Sequence, residues 1–236
     1  MKRSLKLFLT LFLGLCASAF CANAEKNTYT INVGEFSKLK VVNDIRVRYV
    51  CNPDSAGIVT YTCEDRFVDA LLFSNKGGTL KIAIQTDYVH LWDYLPMVTV
   101  YSSNLSFAEN QSKAEMRVEH PAKCGEISFK QVGNGSIVAS GIDATNVKAK
   151  IATGKGEISL IGKADFANYD MVGTGKIMAE QLEAKEVSCT VFGTGSIFCW
   201  PLDKLSVKGM ASTTVYYKGE PKVIKKTGVA KIERMP

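Results

Sequence analysis

The second half of the chain repeats one short phrase four times: Gly133-Asn134-Gly135-Ser136-Ile137, Gly154-Lys155-Gly156-Glu157-Ile158, Gly173-Thr174-Gly175-Lys176-Ile177 and Gly193-Thr194-Gly195-Ser196-Ile197. The isoleucines stand 21, 19 and 20 residues apart. A fixed period of this size marks a solenoid, in which each repeat forms one coil. A single coil cannot bury its own apolar face and needs a neighbour on each side.

Paired glycines make corners, because they permit positive φ and close backbone approach. After each corner apolar residues alternate, as Ile137 and Ala139, Ile158 and Leu160, Ile177 and Ala179, Ile197 and Cys199. Before each corner Phe129, Ala149, Tyr169 and Cys189 recur every 20 residues, with Lys148, Lys150, Ser188 and Thr190 in the alternate slots. This period of two puts the apolar set on one face of a strand. Coils stacked about 4.8 Å apart align these positions into ladders around an apolar lumen. The fold expected is therefore all-β: a single-stranded right-handed parallel β-helix of about 20 residues per coil, its hand following from the preference of parallel crossovers. Helical repeats are excluded, since the windows lack i, i+3, i+4 spacing and the glycine pairs would cost each helix about 2 kcal/mol. A propeller blade needs about 40 residues, twice the observed repeat.

Both ends of the repeat are worn. Cys124-Gly125-Glu126-Ile127 resembles a degraded corner, and Met210–Thr214 lacks the second glycine. Upstream, Leu39, Val41, Ile45, Val47, Tyr49 and Cys51 alternate, and turns at Asn52-Pro53-Asp54 and Asn75-Lys76-Gly77-Gly78 set off further short strands. Irregular N-terminal hairpins over residues 30–105 that cap the coils are expected, with one short helical turn in Asp65–Leu72.

Lys2, Arg3 and Lys6, the apolar run Leu7–Leu15 and then Ala22-Asn23-Ala24 have the form of a secretory signal peptide cut after Ala24. This divides the chain into a leader, 1–24, and one solenoid domain, 25–236, with its core at about 35–232. The expected location is extracytoplasmic: periplasm, outer surface or medium. A lipid anchor would want a small residue before Cys16 or Cys21, where Leu15 and Phe20 stand. No later segment approaches the about 18 apolar residues of a spanning helix. Cleavage lowers the net charge from +6 to +3, with 26 basic against 23 acidic residues. That mild balance, without basic clusters interleaved with aromatics, speaks against nucleic acid. Of the remaining cysteines, Cys51, Cys63, Cys189 and Cys199 keep the phase of apolar neighbours and read as small buried hydrophobes. With Cys124 they make an odd number, so at least one stays free or pairs between chains. Cys189 and Cys199 are phased to face one another across the lumen, where a disulfide is an alternative. No cofactor or zinc site is expected, because the spaced Cys and His ligands are lacking.

Two groups of residues are candidates for function. Asp143, Asp165, Glu183 and Asp203 follow their isoleucines by six or seven residues, and stacking would place them in a rough line. Such a line could hold calcium or supply paired acids for cutting sugar polymers. The plainer reading is solvated corner residues beside Lys163, Lys185 and Lys204. Tyr88, His90, Trp92 and Tyr94 crowd an irregular segment without a repeat equivalent. Large amphipathic side chains on a loop suit sugar or protein contacts; the alternative is a plug for the end of the lumen.

The leader, the opening Gly34–Val42, the Gly78–Ile82 strand, the four Gly-x-Gly-x-Ile repeats and the closing Val215–Pro221 together resemble the head GIN domain family of auto-transporter adhesins of Bacteroides and its relatives. The resemblance spans about residues 35–232. It implies a β-helix outside the cytoplasm and carries no catalytic residues. The function expected is a non-catalytic binding or adhesion module for a glycan or an envelope protein, with homo-oligomerisation open. The alternatives are a polysaccharide lyase or hydrolase built on the acid line, and a structural envelope protein.

Overall fold

The computed structural model describes residues 26–210 and 213–236, so the expected leader lies outside the described residues. Alternation of apolar and polar residues gives nine short strands before the repeats: β1 (Lys26–Asn32), β2 (Lys38–Val42), β3 (Val47–Cys51), β4 (Ile58–Glu64), β5 (Leu71–Lys76), β6 (Thr79–Ile84), β7 (Val98–Ser102), β8 (Phe107–Gln111) and β9 (Glu115–Glu119). The repeats form β10 (Cys124–Val132), β11 (Ser136–Thr153), β12 (Glu157–Met171), β13 (Lys176–Val191) and β14 (Ser196–Gly209), followed by β15 (Thr214–Tyr217), β16 (Val223–Gly228) and β17 (Lys231–Arg234). All belong to one sheet that coils into a β-solenoid. Each of β11, β12 and β13 runs from one Gly-x-Gly corner to the next, bending where its register shifts.

The ladders are parallel and in register. One inward column reads Leu80, Leu39, Ala108, Phe129, Ala149, Tyr169, Cys189, Val207. Another reads Val98, Val47, Met116, Ile137, Ile158, Ile177, Ile197, Val215. All of these side chains are buried. In the first column small residues (Ala108, Ala149, Cys189) separate the large Phe129 and Tyr169. This alternation lets large side chains fit beside small ones in a close-packed lumen. Cys189 thus occupies a small-residue slot. The neighbouring Cys199 thiol, together with burial, pushes its pKa up. Both are free thiols rather than a disulfide.

The N-terminal region departs from simple hairpins. β2 and β3 already make a coil, and that coil is threaded between the β6–β7 coil and the β8–β9 coil, pairing in parallel with both. True antiparallel pairs are confined to the end: β5 on β6, β4 on β7 and β1 on β4. There Tyr29, Tyr61 and Phe73 stack over the lumen with centroids 5.6 and 5.9 Å apart, and Phe67, Ala70 and Leu71 close it. The helical turn is present as a 3-10 helix, Asp65–Ala70. At the other end β16 and β17 each pair on one side only among the described residues. Lys226 ends the inward column there, and an inward charge on a terminal strand discourages further stacking.

One ion cluster lies against the fold. Glu109 on β8 is buried, accepts a hydrogen bond from Gln111, and pairs with Lys40 at 3.3 Å and Lys130 at 3.4 Å. Burial works to raise its pKa, but the Gln111 hydrogen bond and the two lysines outweigh it and hold the carboxyl below its ordinary 4.5. A depressed folded pKa stabilises the protein above the unfolded value, and that stability disappears as pH falls through the folded value. Glu109→Gln is expected to cost about 1–2 kcal/mol at pH 7 and far less at pH 3. Urea titrations at the two pH values check it, and equal losses at both would refute it.

Candidate functional site

Each coil turns from one sheet to the next at the edge formed by the Gly-x-Gly corners, and the glycines there serve two different ends. Gly133 and Gly154 have φ of +90° and +78°, which suits glycine. Gly175, Gly193 and Gly195 do not; a Cβ on each would fall on the carbonyl oxygen of Gly156, Gly173 and Gly175 in the preceding coil. Glycine is required at these later corners by close approach, not by conformation.

The segment carrying Tyr88, His90, Trp92 and Tyr94 belongs to this same edge. It joins β6 to β7, as the Gly-x-Gly corners join the later strands of the same two sheets. It folds as a 3-10 helix, Thr86–Tyr94, kinked at Leu91. Tyr88 and Leu91 pack against the core and Leu95 is buried, which fixes the segment. His90 points to solvent, and Trp92 and Tyr94 are 45% and 70% exposed. Trp92 forms one wall of a shallow cleft of about 220 Å³, completed by Leu95 of its own segment and by Asp44, Arg46 and Glu115 from neighbouring coils. The aromatic crowding was visible in the sequence. Asp44, Arg46 and Glu115 were not, because only the threading of the β2–β3 coil brings them beside Trp92.

The four carboxylates fall into different columns. Asp143 stands opposite Lys163, which stands opposite Glu183, which stands opposite Trp200. Asp165 lies two positions beyond Lys163 and pairs with Lys185 at 2.7 Å, while Asp203 pairs with Lys222 at 2.7 Å. Asp143 lies between Lys123 at 3.6 Å and Lys163 at 3.4 Å. Asp165 and Asp203, through hydrogen bonds and charge, raise the pKa of Lys185 and Lys222. Asp143, Asp165, Glu183, Lys163 and Lys185 line an open depression of about 380 Å³. Signs alternate across it: Asp143 and Asp165 are paired with lysines, and Glu183 stands opposite Lys163 in the ladder. Among the described residues no group of three or more His, Cys, Asp or Glu side chains is placed to hold a metal ion. The displacement of Asp203 arises because β14 shortens its bend: the offset to β13 drops from 20 residues at Cys199 to 17 at Trp200.

The chain is thus a parallel β-solenoid, capped at its N-terminal end and carrying an aromatic segment on one edge. The chain belongs to the family described as putative auto-transporter adhesin, head GIN domain, whose model matches residues 35–221. Solved structures share the fold. A putative adhesin from Bacteroides fragilis superposes with a TM-score of 0.79 at 20% identity, covering 89% of this chain and 97% of that one. A putative lipid binding protein from Parabacteroides distasonis gives 0.69 at 20% identity, covering 91% and 98%. A putative adhesin from Parabacteroides merdae gives 0.62 at 19% identity, covering 91% and 98%. A comparison with curated protein sequences finds no match.

Proposed function

We propose that the protein is an exported, non-catalytic binding module of adhesin type, which engages a glycan or an envelope protein through the Tyr88–Tyr94 segment. The observation that carries this reading is the exposure of Trp92 and Tyr94 on a segment whose own base is pinned by Leu95 and Tyr88. Rigid aromatic side chains held clear of the core offer contact area at low entropic cost. The Trp92 cleft adds Asp44, Arg46 and Glu115 as polar partners, which suits a ligand bearing hydroxyl or amide groups. Family membership supports the adhesin class, and the alternation of acids with lysines weighs against a lyase or hydrolase, which needs carboxylates poised as acid and base.

Replacing Trp92 and Tyr94 together by alanine is expected to lower partner binding at least tenfold, since truncating such anchors typically costs about 2 kcal/mol each. The far-ultraviolet spectrum and melting temperature should change little. A glycan array and an envelope-protein pull-down, each with wild type and variant, provide the test. Unfolding of the variant with unchanged binding per folded molecule would make the segment an end plug. Turnover of a polysaccharide that disappears in Asp165→Asn would replace the binding reading with an enzymatic one.

A further inference from the structure

The Gly-x-Gly edge carries a second feature, at the opposite end from Trp92. The residue that enters each corner is Val172, Phe192, Met210 and Val229 in four successive coils. Their backbone N–H groups donate to the coil before: Val172 to Ile151, Phe192 to Met171, Met210 to Val191 and Val229 to Gly209. They therefore stand in single file, about 4.8 Å apart. All four point outward, at 46%, 56%, 79% and 66% exposure. The equivalent Val132 and Ala152 of earlier coils are half-buried, so the apolar ridge belongs to the C-terminal coils.

Basic residues flank it. From residue 201 to 236 eight Lys and Arg accompany three Asp and Glu. Lys176, Lys208 and Lys225, all near the ridge in sequence and exposed, enter no ion pair among the described residues.

We propose that this ridge docks the protein on an anionic lipid bilayer. Two arguments select that occupant over a second copy of the chain. Four side chains in single file fall well short of the about 800 Å² per partner that a stable protein interface buries. The inward Lys226 also obstructs a second solenoid from stacking on the terminal coil. A narrow apolar ridge can instead sink between headgroups, where affinity comes from buried apolar area together with attraction of lysines to anionic lipid. Docking is independent of partner binding through Trp92 and Tyr94.

The test is co-sedimentation of the purified protein with vesicles of phosphatidylglycerol and phosphatidylcholine, against phosphatidylcholine alone. Wild type is expected to bind the anionic vesicles, more weakly as salt rises, and to bind the zwitterionic ones poorly. The Phe192→Ser, Met210→Ser double variant, changed only at exposed positions, should keep its melting temperature and lose at least tenfold in vesicle affinity. Lys208→Glu with Lys225→Glu should lose anionic selectivity, whereas Trp92→Ala with Tyr94→Ala should bind vesicles as wild type does. The proposal is overturned by wild type that ignores anionic vesicles, or by undiminished binding of the ridge variant. It is equally overturned by loss of vesicle binding only in the Trp92 and Tyr94 variant. A wild-type dimer in light scattering that the ridge variant dissolves would assign the ridge to a second copy instead.

Discussion

Gly175→Ala and Gly193→Ala are each expected to destabilise the protein by about 3 kcal/mol, the upper range for overpacked interiors. The added methyl would land on the carbonyl oxygen of Gly156 or Gly173, a backbone atom of the preceding coil, and that of Gly156 already accepts from the Lys176 N–H. A flexible side chain could swing away; a carbonyl can yield only if the coil spacing opens, which loosens inter-coil hydrogen bonds. Gly125→Ala supplies the control. It lies at the start of β10, not at the corner its Gly-Glu-Ile phrase suggested, because Ile127 pairs with Val147 rather than joining the Ile137 column; nothing is within 4 Å of the new Cβ and φ is not positive. Its effect should stay within about 0.5 kcal/mol. Urea unfolding followed by circular dichroism measures all three. An unchanged midpoint for Gly175→Ala would mean that the corners do not stack in contact.

The repeat made the C-terminal coils readable, because one phrase recurring at nearly constant spacing fixes both the corner and the inward columns. Ile137, Ile158, Ile177 and Ile197 do share a column, as do Phe129, Ala149, Tyr169 and Cys189. Two features were not readable, each for a physical reason. The insertion of the β2–β3 coil between β6–β7 and β8–β9 reverses the order of coils in space. Alternation tells which residues face the lumen, not which strand is the neighbour. The acid line failed as a line because counting from the isoleucines assumes bends of constant length. Bulges move Asp165 two positions past Lys163, and the shortened bend of β14 puts Trp200, not Asp203, opposite Glu183. Solenoid bends tolerate such insertions and deletions because the lumen requires register only on the flat faces.

A sharper consequence concerns two buried polar residues in one inward column, which reads Ile82, Val41, Asn110, Gln131, Ile151, Met171, Val191. By pattern alone, an aliphatic side chain should improve both polar positions. The structure separates them. Asn110 donates through Nδ2 to the carbonyls of Ala114 and Ser136, each at 2.9 Å, and accepts at Oδ1 from the Ser112 N–H at 3.0 Å. Its side chain thereby builds the Ser112–Ala114 corner, which has no glycine pair. Gln131 makes a 3.2 Å bond to its neighbour Val132 and a long 3.5 Å one to Ser112, and its Oε1 is buried without a partner. Leaving a buried donor or acceptor unsatisfied costs about 1–3 kcal/mol, whereas removing an already unsatisfied one relieves that cost. Asn110→Val is thus expected to destabilise by about 2–4 kcal/mol, since it strips partners from Ser112 and Ser136. Gln131→Met should be neutral or stabilise by about 1 kcal/mol, continuing the column of Ile151 and Met171. Opposite signs at adjacent rungs, read from unfolding midpoints, would show that Asn110 stands in for the missing glycines. Stabilisation by Asn110→Val would show that lumen hydrophobicity alone decides both positions.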